Sequence, residues 1–256
     1  LFAAGDFDGD GLVDMAMTGL DPTQEKGPPV GVTRRYRNLG RLKFEKSAVD
    51  LPGGGSDIAA VDFDGDKRLD LVVLGSGREG EPVTLALKNA AAGFVAVASR
   101  LPPIGSGAMA WADKDRDGDL DVAISGLLGQ SPVLGVYVND GAGRFAPAFK
   151  RVGGVANSAI QWVDLDGDGQ LDLFVTGATP SGSAAMVLMA AKDGYQELPT
   201  TMEGVVAPSL GSGDLNGDGS PDLVVAGRHP TWGNLFRLYW NFGWRGKMPA
   251  QSEPIP

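Results

Sequence analysis

Apolar residues in this chain come in short runs, and the runs recur in a fixed order. A run of small or apolar residues comes first: Phe2-Ala3-Ala4, Ile58-Ala59-Ala60-Val61, Ala108-Met109-Ala110-Trp111, Ala159-Ile160-Gln161-Trp162. A second run ends in glycine: Val13 to Gly19, Leu69 to Gly75, Leu120 to Gly126, Leu171 to Gly177, Leu223 to Gly227. A third spans Val32 to Tyr36, Val83 to Leu87, Val133 to Val138, Ala185 to Met189 and Leu235 to Trp240. Asn38, Asn89, Asn139 and Asn241 follow it, each with a glycine soon after, and then a fourth run begins at Phe44, Phe94, Phe145 or Tyr195. The runs are too short for helices and are separated by turn residues, so each predicts a strand. Four strands per period predict five copies of one small antiparallel sheet, with no clear fourth run in the last copy.

Between the first and second runs lies a polar loop, Asp-x-Asp-x-Asp-Gly-x-x-Asp with small departures. It reads DFDGDGLVD, DFDGDKRLD, DKDRDGDLD, DLDGDGQLD and DLNGDGSPD, starting at Asp6, Asp62, Asp113, Asp164 and Asp214. The starts lie 56, 51, 51 and 50 residues apart. A sheet of four strands cannot bury both faces alone, and stacking around an axis lets neighbours cover one another. The expected fold is therefore all-β, a β-propeller of four-stranded antiparallel blades. It forms a single domain over 1–256, with repeats at about 1–56, 57–107, 108–158, 159–208 and 209–256. A closed five-bladed ring is the favoured arrangement, and part of a larger propeller is the alternative.

Composition agrees. Glycine (39) and proline (17) are frequent, and 43% of the 256 residues are hydrophobic. Cysteine is absent, which removes thiolate metal sites and disulfides. A net charge of −10 argues against a nucleic-acid partner. No apolar stretch is long enough for a membrane-spanning helix, so no membrane insertion is expected.

The acids are concentrated in the loops, which points to calcium. Calcium takes six to eight oxygen ligands at roughly 2.3–2.6 Å. Loop positions 1, 3 and 5 turn carboxylates toward one point, position 7 offers its carbonyl and the aspartate at position 9 closes the shell. The candidate ligands are Asp6, Asp8, Asp10, Leu12 and Asp14; Asp62, Asp64, Asp66, Arg68 and Asp70; and Asp113, Asp115, Asp117, Asp119 and Asp121. Asp164, Asp166, Asp168, Gln170 and Asp172, then Asp214, Asn216, Asp218, Ser220 and Asp222, complete up to five Ca2+ sites. Oxygen donors without His or Cys favour calcium over zinc or copper. An EF-hand is excluded because loop position 12 is always apolar (Met17, Val73, Ile124, Val175, Val225). Lys67 replaces the usual glycine and Asn216 replaces an acid, so the second and fifth sites are expected to be weaker.

These loops, the small-residue strands before them (SDIAAVDFDGD, NSAIQWVDLDGDG) and the turns after the asparagines (NDGAGRF) resemble the FG-GAP/VCBS repeat class, in its VCBS-like branch. That class includes the integrin α-subunit propeller and many secreted bacterial proteins. The resemblance implies structural calcium in the first hairpin of each blade and ligand binding on the opposite face. Here that face would include Lys26, Arg78, Glu79, Gln130, Arg228, His229 and Trp232.

No catalytic set stands out. His229 is the only histidine and has no nucleophile elbow nearby. The aspartates repeat in every blade, whereas catalysis needs one distinctive constellation. The chain is therefore expected not to be an enzyme. Trp232, Tyr239, Trp240 and Trp244 read as packing between blades, with sugar stacking as the alternative, and Arg34, Arg35 and Arg37 read as a solvated basic face. The leading expectation is a calcium-stabilised recognition module, secreted or at the cell surface, binding a protein or glycan. A polysaccharide lyase or hydrolase and a structural spacer are the alternatives. The sequence leaves the oligomeric state open.

Overall fold

The computed structural model describes residues 1–21, 30–48, 50–241 and 250–251. Among them there is no helix, and the strands form five antiparallel sheets in chain order. The first contains β1 (Phe2–Gly5), β2 (Asp14–Leu20), β3 (Gly31–Asn38) and β4 (Phe44–Lys46), with β5 (Leu51–Pro52) also paired to β3. The second contains β6 (Gly54–Val61), β7 (Asp70–Ser76), β8 (Pro82–Ala90) and β9 (Gly93–Val97). The third runs β10 (Gly105–Ala112), β11 (Asp121–Leu128), β12 (Ser131–Asn139), β13 (Phe145–Val152). The fourth runs β14 (Ala156–Val163), β15 (Asp172–Thr179), β16 (Gly182–Ala191), β17 (Gly194–Leu198). The fifth is β18 (Val206–Gly213), β19 (Asp222–His229), β20 (Gly233–Trp240) and β21 (Ala250–Gln251). Its last strand, unreadable in the sequence, is only two residues long.

Both faces of the second strands β7, β11 and β15 are buried, because side chains alternate across a sheet and each of these sheets has a neighbour on either side. Leu71 and Val73 of β7 pack toward the first sheet, with Ala3, Phe7 and Ala16. Val72 and Leu74 point the other way and join Val122 and Ile124 of the third. Ala123 of β11 packs with Leu173 and Val175 of β15, and Phe174 packs with Leu223 and Val225 of β19. The core is thus four slabs, one between each pair of consecutive sheets.

Among the described residues no fifth slab joins the last sheet to the first. Leu1, Phe2, Met17 and Leu20 of the first sheet are exposed, as are Leu215 and Phe236 in the fifth repeat. The favoured closed ring is not observed as a sealed structure.

The first strands still share one feature. Near the start of β6, β10, β14 and β18 the register to the second strand shifts. A residue with positive φ sits at each shift: Gly55 (101°), Ser106 (46°), Asn157 (42°) and Ala207 (49°). These bulges line a common depression, described below.

Candidate metal centres

Each Asp loop is the hairpin turn between the first two strands of its sheet. The aspartate at position 9 opens the second strand and pairs with the last residue of the first, as Asp70 does with Val61 and Asp172 with Val163. The position 1 carboxylate gathers the loop's amides. Asp6 accepts from Gly9 at 2.7 Å, Asp10 at 3.2 Å and Gly11 at 2.8 Å. Asp62, Asp113, Asp164 and Asp214 accept in the same way. These amides hold the carboxyls of Asp6 and Asp214 below the usual range, with Gly11 and Gly219 the leading donors. The bend requires left-handed backbone, which glycine supplies at Gly9 (φ 78°) and Gly11 (φ 83°). Lys67 at position 6 (φ 67°) and Arg116 at position 4 (φ 65°) adopt it without being glycine.

Three carboxylates come together in each of four loops, with oxygens within 4.8 Å of one another: Asp6/Asp8/Asp10, Asp62/Asp64/Asp66, Asp113/Asp115/Asp121 and Asp164/Asp166/Asp172. Asp14, Asp70, Asp117 and Asp168 lie outside these triads. In the fifth loop no such acid triad forms among the described residues. Asn216 takes the central position there, and its amide donates to Asp218. Asp214 and Asp222 hold positions 1 and 9 of that loop. At position 7 the structure shows the amide at work: Leu12, Arg68, Asp119, Gln170 and Ser220 each donate N–H to the position 5 carboxylate, at 2.7–3.0 Å.

The position 9 aspartates are buried. Each accepts an amide from loop position 2 on Oδ2 and an amide from the end of the third strand on Oδ1. Asp121, for example, binds Lys114 N at 3.0 Å and Asn139 N at 2.9 Å, and Asp222 binds Leu215 N at 3.0 Å and Asn241 N at 2.8 Å. Burial, with nearby acids, pushes the carboxyls of Asp70 and Asp172 up to about 6 and raises that of Asp121. The Oδ1 atoms of Asp64 and Asp113 are buried and accept no hydrogen bond. A buried anionic oxygen lacking any donor is costly, and a hard divalent cation is the partner that oxygen-only donors fit. The four triads can hold a metal ion.

The asparagines after the third strands have a role the sequence reading missed. Three of the side-chain amides cross to the preceding repeat and bind the carbonyl at its loop position 2: Asn89 to Phe7 O (2.7 Å), Asn139 to Phe63 O (2.8 Å), Asn241 to Leu165 O (2.8 Å). Asn89 and Asn139 also bind a carbonyl of their own loop, Leu69 O and Leu120 O. The first, second and fourth Asp hairpins are thereby fastened to the next sheet. The fourth repeat has Ala190 instead, and there the Tyr195 hydroxyl donates to Leu171 O. Asn38 reaches only Val13 O, within its own repeat.

The expected ligand-face residues lie at the opposite ends of the second strands from the Asp loops. Arg78 and Glu79 are exposed after β7, Gln130 is exposed after β11, and Arg228, His229 and Trp232 surround the β19–β20 turn. Lys26 and Trp244 fall outside the described residues. Trp232 is exposed and stacks on His229 with ring centroids 4.0 Å apart. Tyr239 is core, as expected for packing between sheets. The basic group is not a free solvated face: Arg34 pairs with Asp50, Arg35 with Ser47 and Arg37 with Asp8 and Asp10.

The depression at the first-strand bulges has a volume of about 660 Å³. Leu20, Ser56, Ser106, Asn157, Ser158 and Ala207 are among its lining residues, so every sheet contributes and no lining residue is charged. A second depression, of about 630 Å³ and mixed charge, lies between the first two Asp loops.

A family model described as FG-GAP-like repeat matches residues 6–73 and 62–124. Residues 6–124 carry FG-GAP-like repeats. The matched segments span the first three Asp loops and the seam that Asn89 closes. No curated protein sequence matches the chain. Among solved structures, the rhamnogalacturonan lyase of Bacillus licheniformis superposes with a TM-score of 0.57 at 15% identity. The match covers 96% of this chain and 51% of the lyase, so the chain spans about half of that protein's length. At that identity the likeness is one of fold. It corrects the expectation that the chain is not an enzyme: the lyase is built on this fold, so the all-β repeat array is a possible enzyme scaffold. Among the described residues no helix is long and apolar enough to cross a membrane.

Proposed function

We propose that this chain is a calcium-stabilised, polysaccharide-related scaffold acting outside the cell, whose face opposite the Asp loops receives a carbohydrate chain. The observation that carries the reading is the acid triad recurring in four loops, with buried carboxylate oxygens that have no donor. Calcium is the ion chosen because the donors are all oxygen, with no His or Cys among them. Extracellular calcium suits modest-affinity sites, which resting cytosol would leave unfilled. The uncharged depression lined by serine hydroxyls and the Asn157 amide suits a sugar's hydroxyls, and exposed Trp232 offers a flat apolar surface to a sugar ring. A protein ligand is the alternative occupant of the same face. The five sheets are read as blades about that depression. The missing slab between the fifth and first favours an open array over a sealed five-membered ring.

The test is a thermal melt with excess calcium and with chelator, followed by binding to a polysaccharide panel in calcium. A midpoint unchanged by chelation discards the structural-ion reading, and no retention on any polysaccharide discards the carbohydrate reading. The fold shared with a lyase favours a second reading, in which the same face supports elimination in an acidic polysaccharide. Incubation with rhamnogalacturonan, followed by ultraviolet absorbance of the unsaturated product, tests it. A flat trace at high enzyme concentration removes it.

A further inference from the structure

The four acid triads differ in what neutralises them. In the first repeat Arg37 reaches into the loop, its Nε 2.6 Å from Asp8 Oδ2 and its Nη2 3.2 Å from Asp10 Oδ2. In the second repeat the Lys88 ammonium binds Asp64 Oδ2 and lies 3.2 Å from Asp66 Oδ2. Arg68 adds a contact of 2.6 Å to Asp66. Among the described residues no ion pair involves an acid of the third, fourth or fifth loop.

Arg37 and Lys88 hold the same position: each immediately precedes the asparagine that ends the third-strand run, Asn38 or Asn89. In the fourth repeat the same position lies beside the loop, since Met189 and Asp166 line one depression. There, and in the third and fifth repeats, the residue is apolar: Met189, Val138, Trp240. One position therefore decides whether a loop carries its own cation. A tethered ammonium bridging two carboxylates needs no ion from solution, and an incoming ion must first displace it.

We propose that Arg37 and Lys88 are built-in cations standing in for the metal ion. On this assignment the first two loops are self-neutralised, and the third and fourth are the loops that require calcium. The proposal rests on the calcium reading above. Lys88, with an exposed fraction of 34% against an Asp64 side chain at 10%, is the more enclosed of the two. The second loop should therefore resist calcium most.

The experiment counts calcium retained per chain by atomic spectroscopy after gel filtration, and follows melting with and without chelator. It uses the wild type, Lys88→Met and Met189→Lys. The wild type should hold ions in the third and fourth loops first. Lys88→Met should retain one further ion and become more sensitive to chelator. Met189→Lys should retain one fewer ion and become less sensitive. If Lys88→Met folds only in calcium, while holding the extra ion, the proposal stands. If both variants retain the same number of ions as the wild type, it is overturned while the calcium reading survives. If the wild type retains none and melts identically in calcium and chelator, the calcium reading itself fails.

Discussion

Replacing Asn139 with alanine tests the claim that the repeats are joined by their side-chain amides as well as by apolar packing. Asn139 is 4% exposed, and its Nδ2 donates to Phe63 O at 2.8 Å and to Leu120 O at 3.2 Å. Alanine leaves both carbonyls without that donor, and no water replaces it easily between packed sheets. Each buried polar group left unpaired costs about 1–3 kcal/mol, so the pair should cost about 2–6 kcal/mol. In a domain of this size that lowers the melting midpoint by roughly 4–24 °C. Asn38→Ala is the internal control, because its Nδ2 donates only to Val13 O in an exposed setting and its Oδ1 accepts only Gly40 N. Its cost should stay below about 1 kcal/mol. The assay is calorimetric melting in saturating calcium, paired with hydrogen exchange. Exchange should quicken at the second and third Asp hairpins and not elsewhere, because repeat arrays lose stability locally. Equal midpoint shifts for the two variants would refute the reasoning, as would quickened exchange spread evenly over the chain.

Stability without metal should depend on pH with a definite sign. The Asp70 and Asp172 carboxyls, raised to about 6, hold protons in the folded state that the unfolded chain releases near about pH 4. Chelated protein should therefore lose stability as pH rises from about 4 through about 6, and calcium should lessen that fall through Asp172 of the fourth loop, as paired melts would reveal. Gly75→Ala should destabilise by more than about 2 kcal/mol, because φ is +141° and a Cβ there would lie 1.9 Å from Gly54 O. Gly19→Ala, with nothing within 4 Å of its added Cβ, should be near neutral in the same denaturant titration. Trp232→Ala should reduce retention on any polysaccharide the wild type binds by about tenfold, with the melt unchanged. Equal retention would remove Trp232 from the binding face.

Much of the fold was legible because each repeat states it again. The alternation in LVVL at Leu71 to Leu74 is invisible as a period of two, since both faces are buried, yet its recurrence beside five Asp loops marks it as a strand. The FG-GAP-like resemblance followed from those loops and turns, and the loop acids were readable as a metal-binding set for the same reason. Other features depend on distance in space. Nothing local distinguishes the turn-forming use of Asn89 from its bond to Phe7 O, 82 residues away. The bulge residues Ser106, Asn157 and Ala207 share a conformation and no residue type, so the depression they line left no motif. Arg37 was read as part of a solvated stripe with Arg34 and Arg35, because strand spacing alone does not show that its head reaches a loop 27 residues earlier.

The same distinction separates what the repeats share from what differs between them. Position 9 is aspartate in every loop because its carboxylate serves the hairpin and the third strand at once. A side chain without two acceptor oxygens at this reach would leave at least one backbone amide unpaired, so this acid serves the fold whether or not an ion is present. Positions 3 and 5 bind few backbone groups and are free to serve an ion or a side-chain cation. The residue before the seam asparagine tracks that choice: it is basic where the loop is paired and apolar where the triad has no cation of its own. Variation at one position beside an invariant frame is what a tunable ion requirement needs. It lets each hairpin gain or lose its dependence on calcium by a single substitution, while the bonds that define the sheet stay in place.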